Sequence, residues 1–318
     1  MMFRTCQTNR TKLTISISLA VLTLLGAKAL RAEPVIAPVV SAPIAASLDY
    51  AETQMDHISI VKMGQGPAVF LIPGLSSPRA VWDSVAPELA KTHSVYLVQV
   101  NGFAGGDPRG NLEPGVLDGL VSDLHGFMAD RGISGAAVVG HSMGGLAGLM
   151  LAKAHPGDVG KLMVVDALPF IGTLFAPDAT VEMVEPQAAA MRDQMASLHG
   201  KPYPDAMAQQ IAASNALKPE SRARVAEWVK AADARVSAQA MYDDMTTDMR
   251  PAMAGITTPI TLLYPFSAML PQERADAVYQ GAYADAPQVD FVPVGDSGHF
   301  IMLDQPEIFA ETLTAFLD

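Results

Sequence analysis

The stretch Gly140-His141-Ser142-Met143-Gly144 constrains this chain more than any other. An apolar run, Ala136 to Val139, leads into it, and a helix of small residues, Gly145 to Ala154, leads out. The reading is a strand, a sharp turn and a helix. Glycines flanking the serine tolerate a strained backbone, and such a turn lifts a serine hydroxyl clear of the sheet edge. With glycine and serine near their average usage, a Gly-x-Ser-x-Gly pentapeptide arises by chance in roughly one chain in ten of this length. The weight therefore lies in the flanking pattern.

That pattern recurs along the chain. Apolar runs at Ile58 to Lys62, Ala68 to Ile72, Val95 to Val100, Lys161 to Val165, Ile260 to Tyr264 and Val289 to Val294 read as further strands. Helical stretches such as Val116 to Arg131 fall between them. A last helix, from about Gln305 to Leu317, carries Phe309, Leu313, Phe316 and Leu317 on one face, with Asp304 and Glu307 placed for a capping box. Such alternation predicts an α/β protein with a mostly parallel, doubly wound sheet covered on both faces. Between Val165 and Ile260 lie roughly ninety residues, far more than one crossover helix needs, so an inserted helical lid is expected at about 170–255. Its apolar spacing is clearest at Val225, Trp228, Val229, Ala232 and Val236, and again at Met191, Met195 and Leu198. Methionines are frequent there, and they serve equally as an adaptable surface for apolar ligands or as the lid's own core.

Composition excludes several function classes. A chain that is 50% hydrophobic and 17% charged is globular. Arg4, Arg10 and Lys12 precede the uncharged run Leu13 to Ala27, and small residues follow, so residues 1–32 read as a secretory signal peptide cleaved after Ala29 or Ala32. An uncleaved anchor is the alternative. The expected location is secreted or periplasmic, with no stable membrane insertion after cleavage. Residues 33–49, rich in Pro, Ala and Val, read as a linker. Cys6 is the only cysteine, so the mature chain would hold neither a disulfide nor a thiol nucleophile. Cleavage after Ala29 removes four basic residues and no acid, making the chain more acidic than its net −12. An acidic chain repels polyanions, so nucleic acid is not an expected partner. No metal-binding motif is present, and Gly102 to Gly106 lacks the spacing of a phosphate or dinucleotide loop. No cofactor is expected. The composition leaves the oligomeric state open.

A serine hydroxyl is a poor nucleophile at neutral pH and needs a base. The best placed is His299, in Asp296-Ser297-Gly298-His299-Phe300 after the last predicted strand. His141 sits inside the turn and is expected to point away from Ser142. His57, His93, His125, His155 and His199 have no motif around them and read as surface or packing residues. Negative charge developing on an attacked carbonyl needs backbone N–H donors. Met143, next after the serine, supplies one, and Leu75 in Ile72-Pro73-Gly74-Leu75-Ser76 is the candidate for the second.

Phe70-Leu71-Ile72-Pro73-Gly74-Leu75, Gly140 to Gly145 and Gly298-His299-Phe300, in this order, resemble the α/β-hydrolase superfamily, from about Tyr50 to Asp318. Trp82 and the ending His299-Phe300-Ile301-Met302-Leu303-Asp304-Gln305-Pro306 are similar to its lidded serine-hydrolase branch. The resemblance implies an α/β-hydrolase fold over residues 50–318 and acyl-enzyme chemistry by Ser142 and His299. One departure stands out. The family usually carries its acid after the strand matching Ile260 to Tyr264, where this chain has Pro265-Phe266-Ser267-Ala268-Met269. Some members carry it after the preceding strand, and there this chain has Asp166; Glu273 and Asp276 are the alternatives. The implied activity is cleavage of esters, thioesters included, of apolar acids or alcohols, with a small-molecule ester as substrate. Amidase, lactonase and acyltransferase chemistry use the same constellation. A ligand-binding member that has lost the acid is the reading from another class.

Overall fold

A computed structural model describes residues 52–318. The signal peptide and linker read from the sequence lie outside the described residues. The chain opens with β1 (Glu52–Gln54), β2 (Ile58–Met63), β3 (Ala68–Ile72), α1 (Ala86–Leu89) and β4 (Ser94–Val100). It continues through α2 (Val116–Asp130), β5 (Ala136–His141), α3 (Met143–Ala154) and β6 (Val159–Val165). Four helices follow before the next strand: α4 (Val181–Ala196), α5 (Asp205–Asn215), α6 (Pro219–Ala231) and α7 (Ala234–Thr246). The chain closes with β7 (Ile260–Pro265), α8 (Gln272–Ala282), β8 (Val289–Val294), α9 (Ile301–Asp304) and α10 (Pro306–Leu317).

The strands form one sheet in the order β1-β2-β4-β3-β5-β6-β7-β8. β1 and β2 pair antiparallel and β2 meets β4 antiparallel, while every pairing from β4 to β8 is parallel. This is the α/β-hydrolase fold. Alternate residues of each central strand enter opposite layers. Phe70, Ile72, Val138, Leu162 and Val164 join the core under α2 and α3, whereas Val69, Leu71, Val139, Met163 and Val165 join the core under α10. Side chains alternate across a strand, so a strand apolar at every position must be covered on both faces. Trp82 stacks on Phe309 of α10 at 5.9 Å within the second layer.

The helices between β6 and β7 pack partly on one another and partly on the two sheet cores. α4 lies on α7 through Ala188, Met191, Met241 and Met245, while Ala208 and Ala212 of α5 meet Val225 and Ala226 of α6 in the second core. The stripe read from Val225 to Val236 is not one helix. Asp233 interrupts it and caps α7 by accepting from the Arg235 N–H at 2.9 Å. No described helix is long and apolar enough to cross a membrane.

The expected capping box at Asp304 does not form. The chain breaks at Gln305, and Pro306 opens α10 without a side-chain cap. Asp304 is instead fully buried and accepts from the N–H groups of Gly298 (2.9 Å), Leu217 (2.8 Å) and Lys218 (3.2 Å). Three donors to one carboxylate are worth more than a single cap. They tie the loop before His299 to the α5–α6 connection.

Candidate active site

Ser142 ends β5 and precedes α3 with φ 54° and ψ −125°, backbone angles that cost a non-glycine residue free energy. Three contacts hold it there. Its N–H donates to the Val165 carbonyl at 2.9 Å, and its own carbonyl accepts from Gly145 (2.7 Å) and Leu146 (3.1 Å). The flanking glycines are needed for space: a Cβ on Gly140 would overlap the Gly144 carbonyl, and one on Gly144 would overlap the Ile72 carbonyl.

Asp166 follows β6 directly. Its N–H extends the β6–β7 pairing by donating to Leu263 at 2.8 Å, and its φ of 51° turns the side chain out of the strand. Its Oδ2 lies 2.6 Å from His299 Nδ1. A carboxylate here holds the proton on Nδ1 and leaves Nε2 as the basic nitrogen. Asp166 Oδ1 accepts from the Tyr279 hydroxyl, and the Tyr283 hydroxyl donates to the Ala167 carbonyl at 3.0 Å. Burial, with Asp166 adding to it, pushes the Tyr279 hydroxyl well above its ordinary range, so it stays a neutral donor. Of the alternative acids, Asp276 accepts from the Tyr264 hydroxyl at 2.6 Å and Glu273 is exposed. The structure thus brings Asp166 to His299 and engages Asp276 elsewhere.

His141 is fully buried and packs beside the histidine loop. Its Nε2 donates to the His299 carbonyl at 3.0 Å, and the two rings lie 4.5 Å apart. Burial, then the neighbouring His299, holds it well below the usual histidine range, which keeps the ring neutral. Gly74 makes room for it, since a Cβ there would sit 2.9 Å from His141 Nδ1. His141 therefore supports the loop carrying His299.

Ser142, Asp166, His299 and Leu75 line one cavity of about 420 Å³ between the sheet and the lid. Its walls include Leu146, Ile171, Met195, Trp228 and Met241. Met195 and Met241 face the cavity and also touch the lid core, so the two uses foreseen for the methionines coincide. Met143 opens α3, where the first N–H groups have no intrahelical acceptor. Neither its N–H nor that of Leu75 donates to a described residue. Sequence reasoning missed Tyr279 of α8 and Tyr283 just after it, whose i, i+4 spacing was their only signal, and the roles of His141 and Asp304. Away from the cavity, His125 lies 2.8 Å from Asp158 and stacks on His155 at 3.6 Å with the planes 7° apart. With Asp158 the two histidines form a group whose possible ligand atoms lie within 4.8 Å of one another.

The family described as "Alpha/beta hydrolase family" matches residues 69–312. The chain is 30% identical over 112 residues to a pimeloyl-[acyl-carrier protein] methyl ester esterase of Aeromonas hydrophila, covering 35% of this chain and 42% of that protein. It is 25% identical to the sn-1-specific diacylglycerol lipase ABHD11 of Mus musculus, covering 79% of this chain and 81% of the lipase. It spans about two fifths of the length of the first bacterial relatives it matches. Among solved structures, a malate-bound thermophilic esterase from Thermogutta terrifontis superposes with a TM-score of 0.68 at 21% identity, covering 84% of this chain and 98% of the other.

Proposed function

The chain belongs to the alpha/beta hydrolase family, and from that premise we propose that it is a serine hydrolase cleaving esters, thioesters included, of apolar acids or alcohols. The observation that carries this reading is the 2.6 Å bond from His299 Nδ1 to Asp166 in the cavity that also holds Ser142. In the proposed reaction Ser142 Oγ attacks the carbonyl carbon while His299 Nε2 takes its proton. Asp166 stabilises the resulting imidazolium. The N–H groups of Leu75 and Met143 receive the charge on the carbonyl oxygen. His299 returns the proton to the leaving alkoxide as the tetrahedral intermediate collapses to an acyl-enzyme. Water, deprotonated by the same histidine, then releases the acid and restores Ser142.

The apolar cavity walls support an apolar substrate. Lactones, amides and acyl transfer need the same groups and fall within the proposal. The binding-only alternative arose from the missing carboxylate after β7, and the Asp166–His299 pair supports the catalytic reading over it. The N-terminal charge and hydropathy pattern supports secretion or a periplasmic location as a further part of the proposal.

The test is labelling by a fluorophosphonate probe. Stoichiometric labelling at Ser142, lost in a folded Ser142→Ala variant together with hydrolysis of p-nitrophenyl hexanoate, is the expected result. No labelling of the folded wild type would overturn the reading.

A further inference from the structure

The cavity beside Ser142 holds a carboxyl group that the proposed hydrolysis does not use. Asp244 lies on α7 and lines the cavity with Ser142, His299, Met241 and Met245. The other partly buried acids at this end of the lid are tied to protein donors. Asp233 accepts from Arg235 at 2.7 Å, Asp243 accepts from Gln239 at 2.7 Å and from the Leu117 N–H at 3.2 Å, and Asp248 accepts from Arg250 at 2.6 Å. Asp244 accepts a hydrogen bond from no described residue.

Burial pushes the Asp244 carboxyl up to about 7, against the pull of His299, and Asp243 adds to the rise. The other charged groups lining the cavity are Asp166, already engaged with His299 and Tyr279, and Arg274 of α8, which is exposed and solvated. Asp244 is partly exposed and lines the cavity, so its carboxyl is open to a ligand or to water.

We propose that Asp244 is a specificity-determining group, receiving a hydrogen-bond-donating and preferentially cationic end, an ammonium in the first instance, of an otherwise apolar substrate. This rests on reading the cavity as the substrate site of Ser142. The apolar walls take the chain, and Asp244 selects its polar end. An ammonium supplies both the donor and the charge that favour the ionised carboxylate, while a substrate carboxylate at the same place meets repulsion. Asp244 touches no bond that is made or broken.

The test separates binding from turnover. Calorimetry at pH 8 compares n-hexylamine, which is protonated there, with 1-hexanol and hexanoate on the wild type and on Asp244→Asn. A charge-assisted hydrogen bond corresponds to an advantage of about ten-fold. The wild type is expected to bind the ammonium about ten-fold tighter than the alcohol and the carboxylate weakest of the three. The advantage should shrink at pH 6 and vanish in Asp244→Asn, whose folded state is checked by circular dichroism. Equal binding of amine and alcohol by the wild type overturns the proposal and leaves water as the carboxyl's partner. An advantage that survives in Asp244→Asn overturns it as well. If the preference appears in a protein that neither labels at Ser142 nor hydrolyses p-nitrophenyl hexanoate, the hydrolase reading fails and the Asp244 assignment stands. Ester turnover without the preference has the opposite meaning.

Discussion

Asp166→Asn is the sharpest perturbation of this site, because the two oxygens of Asp166 have different partners. Oδ2 accepts from His299 Nδ1 at 2.6 Å, and Oδ1 accepts from the Tyr279 hydroxyl. An amide offers one acceptor oxygen and one NH₂ donor, so it can satisfy only one of these bonds. Turning the amide oxygen to His299 leaves the buried Tyr279 proton without an acceptor, at a cost of about 1–3 kcal/mol. Turning it to Tyr279 presents the NH₂ to Nδ1. The ring then accepts at Nδ1 and carries its proton on Nε2, where it cannot take one from Ser142. The second arrangement keeps every buried group paired and is the expected one. In the serine-protease example the same wrong tautomer lowers kcat by about ten-thousand-fold, a barrier increase of about 5.4 kcal/mol. Shape and packing are unchanged, so stability should fall by no more than about 2 kcal/mol. Steady-state hydrolysis of p-nitrophenyl hexanoate, normalised to fluorophosphonate-titrated sites and set beside thermal unfolding, measures both. A variant retaining more than about a tenth of the wild-type kcat, a loss below about 1.4 kcal/mol, would refute Asp166 as the acid.

Two further perturbations follow from the same geometry. Tyr279→Phe removes one donor from Asp166 and keeps the ring that lines the cavity, so kcat should fall by roughly ten-fold, from the 1.5–3 kcal/mol of a bond to a charged group discounted for relaxation, with KM little changed. A rise in KM at constant kcat would mean that Tyr279 shapes the cavity and does not position the acid. Asp244→Asn should stabilise the protein in a pH-dependent way. Burial raises the Asp244 carboxyl from 3.8 to about 7, so below pH 4 both folded and unfolded chains hold the proton and the substitution has little effect. As pH rises from about 4 to about 7 the unfolded chain ionises first and the wild type loses stability that the variant keeps, up to about 2–4 kcal/mol above pH 7. Urea unfolding at pH 4 and pH 8 checks this, and a gap independent of pH would show that Asp244 is solvated.

The parts of the fold that were legible are those in which one residue's neighbours along the chain determine its fate. Strands such as Val69–Ile72 are apolar at each position, which requires burial on both faces. The turn around Ser142 is written in its own glycines. β1 left no such trace, because Glu52 and Gln54 point to solvent at the sheet edge. The break between α6 and α7 was hidden for a related reason: Asp233 caps a helix from within a sequence whose apolar spacing continues through it. Asp304 misled in the opposite sense, since its spacing to Glu307 fitted a cap while its oxygens are used by backbone groups from two distant segments.

The position of the acid follows the same division and shows why its partners were out of reach. Asp166 could be named only by analogy, because an aspartate at a strand end serves equally as a loop cap. What distinguishes it in the folded protein comes from three other segments. The β6–β7 pairing carries on to its own N–H, the loop after β8 delivers His299, and α8 delivers Tyr279 and Tyr283 to Asp166 and to the Ala167 carbonyl. β7 ends in Pro265 and continues into Phe266, whose N–H donates to the Val294 carbonyl, and no carboxylate stands at the position where the family usually carries its acid. With the carboxylate one strand closer to Ser142, the space beside it is filled by tyrosines from the helix that follows β7. A tyrosine hydroxyl held neutral by burial donates to a carboxylate without competing for its charge, which a lysine or arginine there would do. Tyr279 therefore braces the acid from the side away from His299, and its loss should lower kcat far less than the loss of Asp166, which itself orients the histidine.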